Sequence, residues 1–274
     1  MNSRLRLLSY NIQVGIGTNR YHEYLTHSWK HFLPHRNQEE TLGRIASLVR
    51  EFDIVGLQEV DGGSLRSRFI NQTEYLAARG GFPHWYSQTN RRLVKLAHHS
   101  LGILARTAFD EVKEIRLAGP IPGRGATMVR LGGEATPLVI VIAHLALGKR
   151  TRVRQIEQIA RLIRDYQHVI VMGDLNCTAH SHEFAILLRL GGLREALPAT
   201  NTYPSWRPIR HIDHVLVSST IRVVDADVLN HRYSDHLPIA LELEVPLALP
   251  GLDRAPGNRG SKRRDGVQPT ASVV

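Results

Sequence analysis

His168-Val169-Ile170-Val171-Met172-Gly173-Asp174-Leu175-Asn176 is the stretch whose reading decides the fold. Four apolar residues in succession, Val169 to Met172, are too few for an ordinary helix, and their β-branched content favours a buried strand. Gly173 ends the run, and Asp174 and Asn176 follow at a spacing of two. In extended chain that spacing puts a carboxylate and a carboxamide on one face at the mouth of a rigid strand. Such a pair can hold a metal, a water or a phosphoryl oxygen. Gly, Asp and Asn are also the commonest turn formers, so the stretch alone reads equally as a β-turn. The flanking sequence has to separate the two readings.

Working outward, strands of the same kind recur. Leu5 to Ile12 closes on Asn11, Asp53 to Val60 carries Glu59 near its end, and Leu138 to Leu145 delivers His144. Further strands are expected at Phe82–Ser87, Ser100–Arg106, Thr127–Leu131, His211–Val217, Ile221–Leu229 and Ile239–Val245. Asp213 sits in one of these, and Asp235 and His236 precede the last. Amphipathic spacing predicts helices over Glu39–Phe52 and Arg152–Tyr166, with Arg154, Arg161 and Arg164 forming a solvated face of the second. A short helix is expected at Gln72–Arg79. Another, capped by Ser181, runs to about Leu190 and is ended by Gly191-Gly192. Strand–helix–strand units in both halves imply an α/β fold of two stacked sheets with helices outside.

Composition bounds the chemistry. The 274 residues contain 35 Lys and Arg against 25 Asp and Glu, a formal charge of +10, which favours anionic partners: nucleic acid, a phospholipid surface or phosphorylated metabolites. A single cysteine, Cys177, excludes an intramolecular disulfide and a Cys-based zinc cluster. The N-terminus has no secretory pattern and no run is long enough to span a bilayer, so a cytoplasmic protein is expected. From Pro250 onward the composition shifts to Pro, Gly, Arg and Ser. Residues 1–249 are therefore read as one domain and 250–274 as a basic, disordered tail. The stretch Thr18 to Asn37, rich in His and aromatics, is long enough to be a functional loop or lid. Without a defined ligand spacing its histidines read as exposed or packing residues rather than a metal cluster.

The polar residues at the ends of otherwise apolar strands form a constellation that turns alone do not explain: Asn11, Glu59, His144, Asp174 with Asn176, Asp213, and Asp235 with His236. Glu59, Asp174 and Asp235 are hard oxygen donors, suited to Mg²⁺ or Mn²⁺ rather than zinc. Two histidines add a proton donor and a phosphate ligand near neutral pH.

The segments SYNI, LQEV, SLGILAR, AHL, GDLN, IDHVL and SDHLP, in that order between Ser9 and Pro238, resemble the endonuclease/exonuclease/phosphatase (DNase I-like) superfamily. The resemblance implies a four-layered α/β sandwich, two stacked mixed sheets flanked by helices, and Mg²⁺- or Mn²⁺-dependent hydrolysis of a phosphoester by water. It implies metal-site roles for Asn11, Glu59 and Asp235. Asp174 would orient or deprotonate the attacking water, and Asn176 would hydrogen-bond a phosphoryl oxygen. Asp213 would hold His236 toward the phosphate, and His144 would protonate the leaving oxygen. DNase I-like enzymes partner the last histidine with a glutamate, and this sequence offers no match; His98, His99 and Arg106 lie in roughly that region. A nuclease is favoured by the charge, by Arg91, Arg92 and Lys95, and by Lys149-Arg150-Thr151-Arg152. A phospholipid or sphingomyelin phosphodiesterase is the alternative, favoured by Tyr21, Tyr24, Trp29, Phe32 and Trp206. A non-enzymatic scaffold fits poorly with an intact set of charged residues. No protein partner is inferable.

Overall fold

The computed structural model describes residues 2–15, 37–93, 97–119, 123–198 and 200–252. The aromatic stretch from Thr18 lies outside them up to residue 36, as do Lys95 and the tail from residue 253. The strands are β1 (Ser3–Asn11), β2 (Ile54–Val60), β3 (His84–Leu93), β4 (Ala97–Ala105), β5 (Glu111–Arg116), β6 (Gly125–Leu131), β7 (Leu138–His144), β8 (His168–Asp174), β9 (Leu193–Glu195), β10 (Asp213–Ser218), β11 (Arg222–Val228) and β12 (Ile239–Val245). The α-helices are α1 (Asn37–Val49), α2 (Gln72–Gly80), α3 (Lys149–Ile163) and α4 (His182–Gly191).

Two six-stranded mixed sheets stack face to face, ordered β11-β12-β1-β2-β4-β3 and β5-β6-β7-β8-β10-β9. Leu7, Ile54, Ile103, Ile140, Ile142, Met172, Val215 and Leu241 fill the space between them. Helices α1 and α2 cover the outer face of the first sheet through Ile45, Val49 and Leu76, and α3 and α4 cover the second through Ile156, Ile159, Phe184 and Leu187. The result is the expected α/β sandwich of four layers. Strands β7 and β8 are buried at every position because sheet partners and both layers enclose them, which explains their unbroken apolar sequences. Strand β12 has one face against the core and one toward solvent, and its IALELEV sequence alternates accordingly.

Several elements depart from the sequence expectation. The strand expected at Phe82–Ser87 begins at His84 and continues to Leu93. Part of the basic stretch Asn90–Lys95, which reads as a loop, therefore belongs to a hairpin, with Arg91 opposite His99 and Arg92 opposite His98. Pairing with β4 overrides the polar composition. Strand β5, EVKEIR, escapes notice because it is a solvent-facing edge where charges guard against further pairing. Helix α3 starts three residues before Arg152, and its Arg154, Arg161 and Arg164 are exposed as expected. The Ser181 side chain accepts from the Phe184 amide, and Gly192 closes α4 in the left-handed region, also as expected. The chain stays packed on the core through Leu252, slightly beyond the expected boundary.

Two glycines set the spacing at the centre. A Cβ on Gly56 would lie 2.5 Å from Met172 Cε, so its absence lets β2 approach β8 across the sandwich. Gly173 has φ +136°, and a Cβ there would lie 2.0 Å from the Ala143 carbonyl oxygen of the adjacent strand. Both the conformation and the space require glycine. Gly173→Ala is expected to lower stability by about 2–5 kcal/mol, from backbone strain plus overpacking. Denaturant unfolding reads the loss directly; a change below 1 kcal/mol, roughly the scale of an unstrained Gly-to-Ala exchange, would show that the strand tolerates the methyl group.

Candidate active site

Strands β1 and β2 run parallel, as do β7 and β8, so Asn11, Glu59, His144 and Asp174 all emerge at one end of the sandwich. Strand β10 runs antiparallel to β8 with Asp213 opposite Asp174. Asp213 is thus the first residue of its strand rather than the last, and Asp235 and His236 lie in the loop that enters β12. The antiparallel direction brings strand beginnings, not ends, to the same mouth. The eight residues expected from sequence thus come together at one end of the sandwich.

Asp174 is the centre. Its Oδ2 accepts from Asn11 Nδ2 at 3.3 Å, a contact that links the two sheets. Its Oδ1 accepts from the Asn176 backbone N–H at 3.0 Å. His144 Nε2 lies 3.4 Å from Oδ2, and His236 Nε2 lies 3.9 Å from it. Asn176 does not share a strand face with Asp174, as the spacing of two suggested. It adopts φ 51° just beyond the strand, and its backbone closes an Asx turn on Asp174. The turn reading holds, and the turn stands beside the Asp174 carboxylate. The Asn176 side chain uses one amide hydrogen on the Leu145 carbonyl at 2.9 Å, which fixes its orientation.

Glu59 reaches the site through a break in strand register between Leu57 and Val60, where it adopts φ 54°. A bulge of this kind re-aims a side chain that regular pleating would direct elsewhere. Its Oε1 lies 3.8 Å from His144 Nε2.

Asp213 and His236 form a buried pair, with His236 Nδ1 2.8 Å from Asp213 Oδ2 and 3.0 Å from Oδ1. The loop after β9 clamps this pair. Thr202 Oγ1 donates to Asp213 Oδ2 at 2.5 Å, and the Tyr203 ring packs on the His236 imidazole with centroids 4.8 Å apart. Ser205 Oγ donates to the Ser234 carbonyl at 2.6 Å, and the Ser205 amide donates to the Asp235 carbonyl at 2.7 Å. Ser234 Oγ in turn donates to Asp235 Oδ1 at 3.1 Å. Sequence reading named only Trp206 from this loop, and not these supporting hydroxyls. Their signal is local: Ser and Thr flanking the Asp and His they orient.

The missing glutamate partner of His144 has a structural answer. Arg124, at the entry to β6, donates from Nη1 to His144 Nε2. Because a guanidinium only donates, that imidazole nitrogen is an unprotonated acceptor. Arg106 lies elsewhere, clamping the Phe52, Gly81 and Arg50 carbonyls. The His98 backbone is held by the buried Asp61–Arg66 pair. Arg124 is the site residue that sequence reading missed, since one arginine between two glycines carries no periodic signal.

The electrostatics follow from this crowding. Burial and the Arg124 charge push His144 down to about 3, so it is neutral. Burial opposes the charge on His236, but Asp213 outweighs it and holds the imidazolium well above its usual range. Burial would raise Glu59 and Asp213, yet the His236 charge, with Arg124 also acting on Glu59, keeps both below the usual carboxylate range. Asp174 and Asp235 are different: burial, joined by neighbouring carboxylates, lifts them to about 7 and about 6. Among the described residues, four carboxylates thus stand against two fixed cations, His236 and Arg124. Two buried carboxylates without a matching positive charge fit a divalent cation, and their oxygen donors suit a hard one. Asp174, Asp213 and His236 also have ligand atoms within 4.8 Å of one another. The direct Asp213–His236 hydrogen bond makes that trio a poorer ligand set than Glu59 and Asp235, with Asp174 beside them.

A sequence profile described as the Endonuclease/Exonuclease/phosphatase family matches residues 8–236. The chain belongs to this family. Its superfamily comprises metal-dependent phosphoesterases. No curated protein matches the sequence. Solved structures match the fold at low identity. An endonuclease/exonuclease/phosphatase family protein from Bacteroides thetaiotaomicron has a TM-score of 0.67 at 17% identity, covering 90% of this chain and 100% of its own. A mannosyl-6-phosphatase from the same organism has a TM-score of 0.63 at 18% identity, covering 87% and 99%. The human nocturnin catalytic domain with bound sulfate has a TM-score of 0.65 at 18% identity, covering 88% and 93%. No helix among the described residues is long and apolar enough to cross a membrane.

The clamp on the Asp213–His236 pair is directly testable. Thr202→Val leaves a buried carboxylate oxygen one donor short and is expected to cost about 1–3 kcal/mol of stability, while Thr202→Ser retains the hydroxyl and most of the stability. Equal stability of the valine and serine variants in denaturant unfolding would show that the hydrogen bond contributes nothing.

Proposed function

We propose that the chain is a divalent-metal-dependent phosphodiesterase in which water attacks phosphorus, with nucleic acid as the substrate. The observation that carries this reading is the convergence on Asp174 of an amide, two histidines and the carboxylates of Asp213 and Glu59, which leaves the Asp174 charge unmatched. Glu59, Asp235 and Asn11 would hold Mg²⁺ or Mn²⁺, which when bound supplies Lewis-acid stabilisation of charge on the phosphoryl oxygens.

The chain's own groups have separate tasks. Asp174, held through both oxygens, is the acceptor for a proton from the attacking water. His236, kept as an imidazolium by Asp213, hydrogen-bonds a phosphoryl oxygen through Nε2–H and stabilises the charge that develops there. The remaining amide hydrogen of Asn176 is available to a second oxygen. His144 has its Nε2 lone pair turned to Arg124 and is neutral, so it does not supply a proton from that atom. We therefore assign it to holding Arg124, whose guanidinium binds and orients the phosphate. This replaces the leaving-group proton donor implied by the family resemblance.

The net charge of +10 supports a polyanionic substrate. Within the run Lys149–Arg152, however, Arg152 is unavailable. It is buried, donating to Glu183 Oε1 at 2.6 Å and to the Ala146 and Leu147 carbonyls. One observation favours the lipid alternative: loops at the site end of the sheets expose Phe69, Ile70, Leu147 and Ile209. Trp206, offered for that reading by sequence, is half-buried.

A panel of plasmid DNA, single-stranded RNA, bis-p-nitrophenyl phosphate and sphingomyelin, each with and without Mg²⁺ or Mn²⁺, tests the proposal. Nucleic acid is expected to be cleaved only with metal, with KM rising steeply with salt. Activity that survives EDTA contradicts the mechanism, and a salt-independent KM on DNA beside rapid sphingomyelin hydrolysis selects the lipid reading. Among variants, His236→Ala is expected to lower kcat at least about a hundredfold. His144→Ala should lose activity equally on alkyl and nitrophenyl esters. A defect that shrinks with the better leaving group would instead make His144 a proton donor.

A further inference from the structure

A second cluster of ligating side chains lies on the opposite face of the same sheet. Along β10, Asp213, Val215 and Val217 face the sandwich interior, whereas His214 and Leu216 face the helices. His214 packs against Phe184 of α4 with ring centroids 4.4 Å apart, and His211 packs against His214 at the same separation. Glu195, the last residue of β9, completes the group. Ligand atoms of Glu195, His211 and His214 all lie within 4.8 Å of one another.

The contacts of this cluster have two readings, an imidazolium paired with Glu195 or a metal held between them. His214 Nε2 lies 2.8 Å from the Cys177 carbonyl, so that nitrogen carries the proton and donates it. In the neutral ring Nδ1 is then a bare acceptor, yet it faces Glu195 Oε1, another acceptor, at 2.8 Å. His211 is buried, with its side chain 6% exposed, and neither ring nitrogen reaches full hydrogen-bond geometry, although the Asp213 backbone lies against the ring. Its Nε2 stands 3.6 Å from the same Glu195 Oε1. A buried polar group without a partner is costly and calls for a ligand.

We propose that Glu195, His211 and His214 form a second metal site, separate from the phosphoesterase centre and selective for a zinc-like divalent ion. Two imidazoles and one carboxylate are the donors such an ion takes, with a fourth position left to water on the partly exposed Glu195 side. Two atoms each about 2.0–2.1 Å from a tetrahedral ion sit roughly 3.3–3.4 Å apart. The Oε1 separations of 2.8 and 3.6 Å bracket that bite. The Cys177 carbonyl supplies the outer hydrogen bond that orients a ligating imidazole. An ion here would join the end of β9 to the entry of β10, where Asp213 begins. It would fasten the loop that clamps His236.

The test is Zn²⁺ titration of the full chain by calorimetry in excess Mg²⁺, which occupies hard oxygen sites but competes weakly for imidazole. One saturable equivalent is expected in the wild type and in Glu59→Gln alike, weakened at least about tenfold in His211→Ala, in line with loss of a direct ligand. Long-range ¹H–¹⁵N spectra of the histidines, with and without Zn²⁺, cover the case in which that variant does not fold: His211 Nε2 and His214 Nδ1 should move together at one equivalent. Absence of saturable binding overturns the proposal. So does binding lost in Glu59→Gln and kept in His211→Ala, or a His214 that is doubly protonated and indifferent to Zn²⁺. The readout is metal binding, so the result is independent of which phosphoester the chain hydrolyses.

Discussion

The arrangement depends on one buried carboxylate shared between two sheets. Asp174 closes β8 in the second sheet, and its Oδ2 accepts from Asn11 at the end of β1 in the first. A charge taken out of water is tolerable only if it is well hydrogen-bonded and electrically matched. Asp174 has the hydrogen bonds but lacks the charge match, which is why burial holds it near 7. The same deficit recurs at Asp235. The sandwich thus brings strand mouths together around a point of unmatched negative charge, and the chemistry proposed for the site follows from what restores the balance.

The surrounding structure keeps that point in place. Gly173 brings β8 against the β7 backbone, and Gly56 lets the two sheets approach near Met172. The buried Arg152–Glu183 pair ties α3 to α4, while Arg152 also holds the carbonyls of the loop that follows His144. On the far side, the Thr202–Ser205 segment fixes Asp213, His236 and Asp235 through hydroxyl and backbone donors. Rigid support of this kind is needed where small displacements of reacting groups lower rates sharply.

Much of this was legible in the sequence, for identifiable reasons. The buried strands read clearly because β7 and β8 are enclosed on both faces and must be apolar throughout. The site residues stood out because polar side chains interrupt those runs at one end. What stayed hidden was what periodicity does not encode. The edge strand β5 is mostly charged, and the extension of β3 is set by pairing with β4 rather than by its own composition. Arg124 comes from a separate loop, and its contact with His144 exists only in three dimensions. That contact underlies the role proposed for His144. The direction of β10 also reverses which end of the strand carries Asp213, a fact that alternation alone cannot give.

The most direct test of the account is binding of Mn²⁺ to the intact chain, followed by electron paramagnetic resonance of the free ion, in the wild type and in Asp174→Asn. If unmatched charge around Asp174 recruits the cation, the wild type binds Mn²⁺ saturably, and removing that one carboxylate weakens binding by at least about tenfold, the scale of a lost ligand or its close support. Equal affinity in the two proteins, or no saturable binding in the wild type, would contradict it.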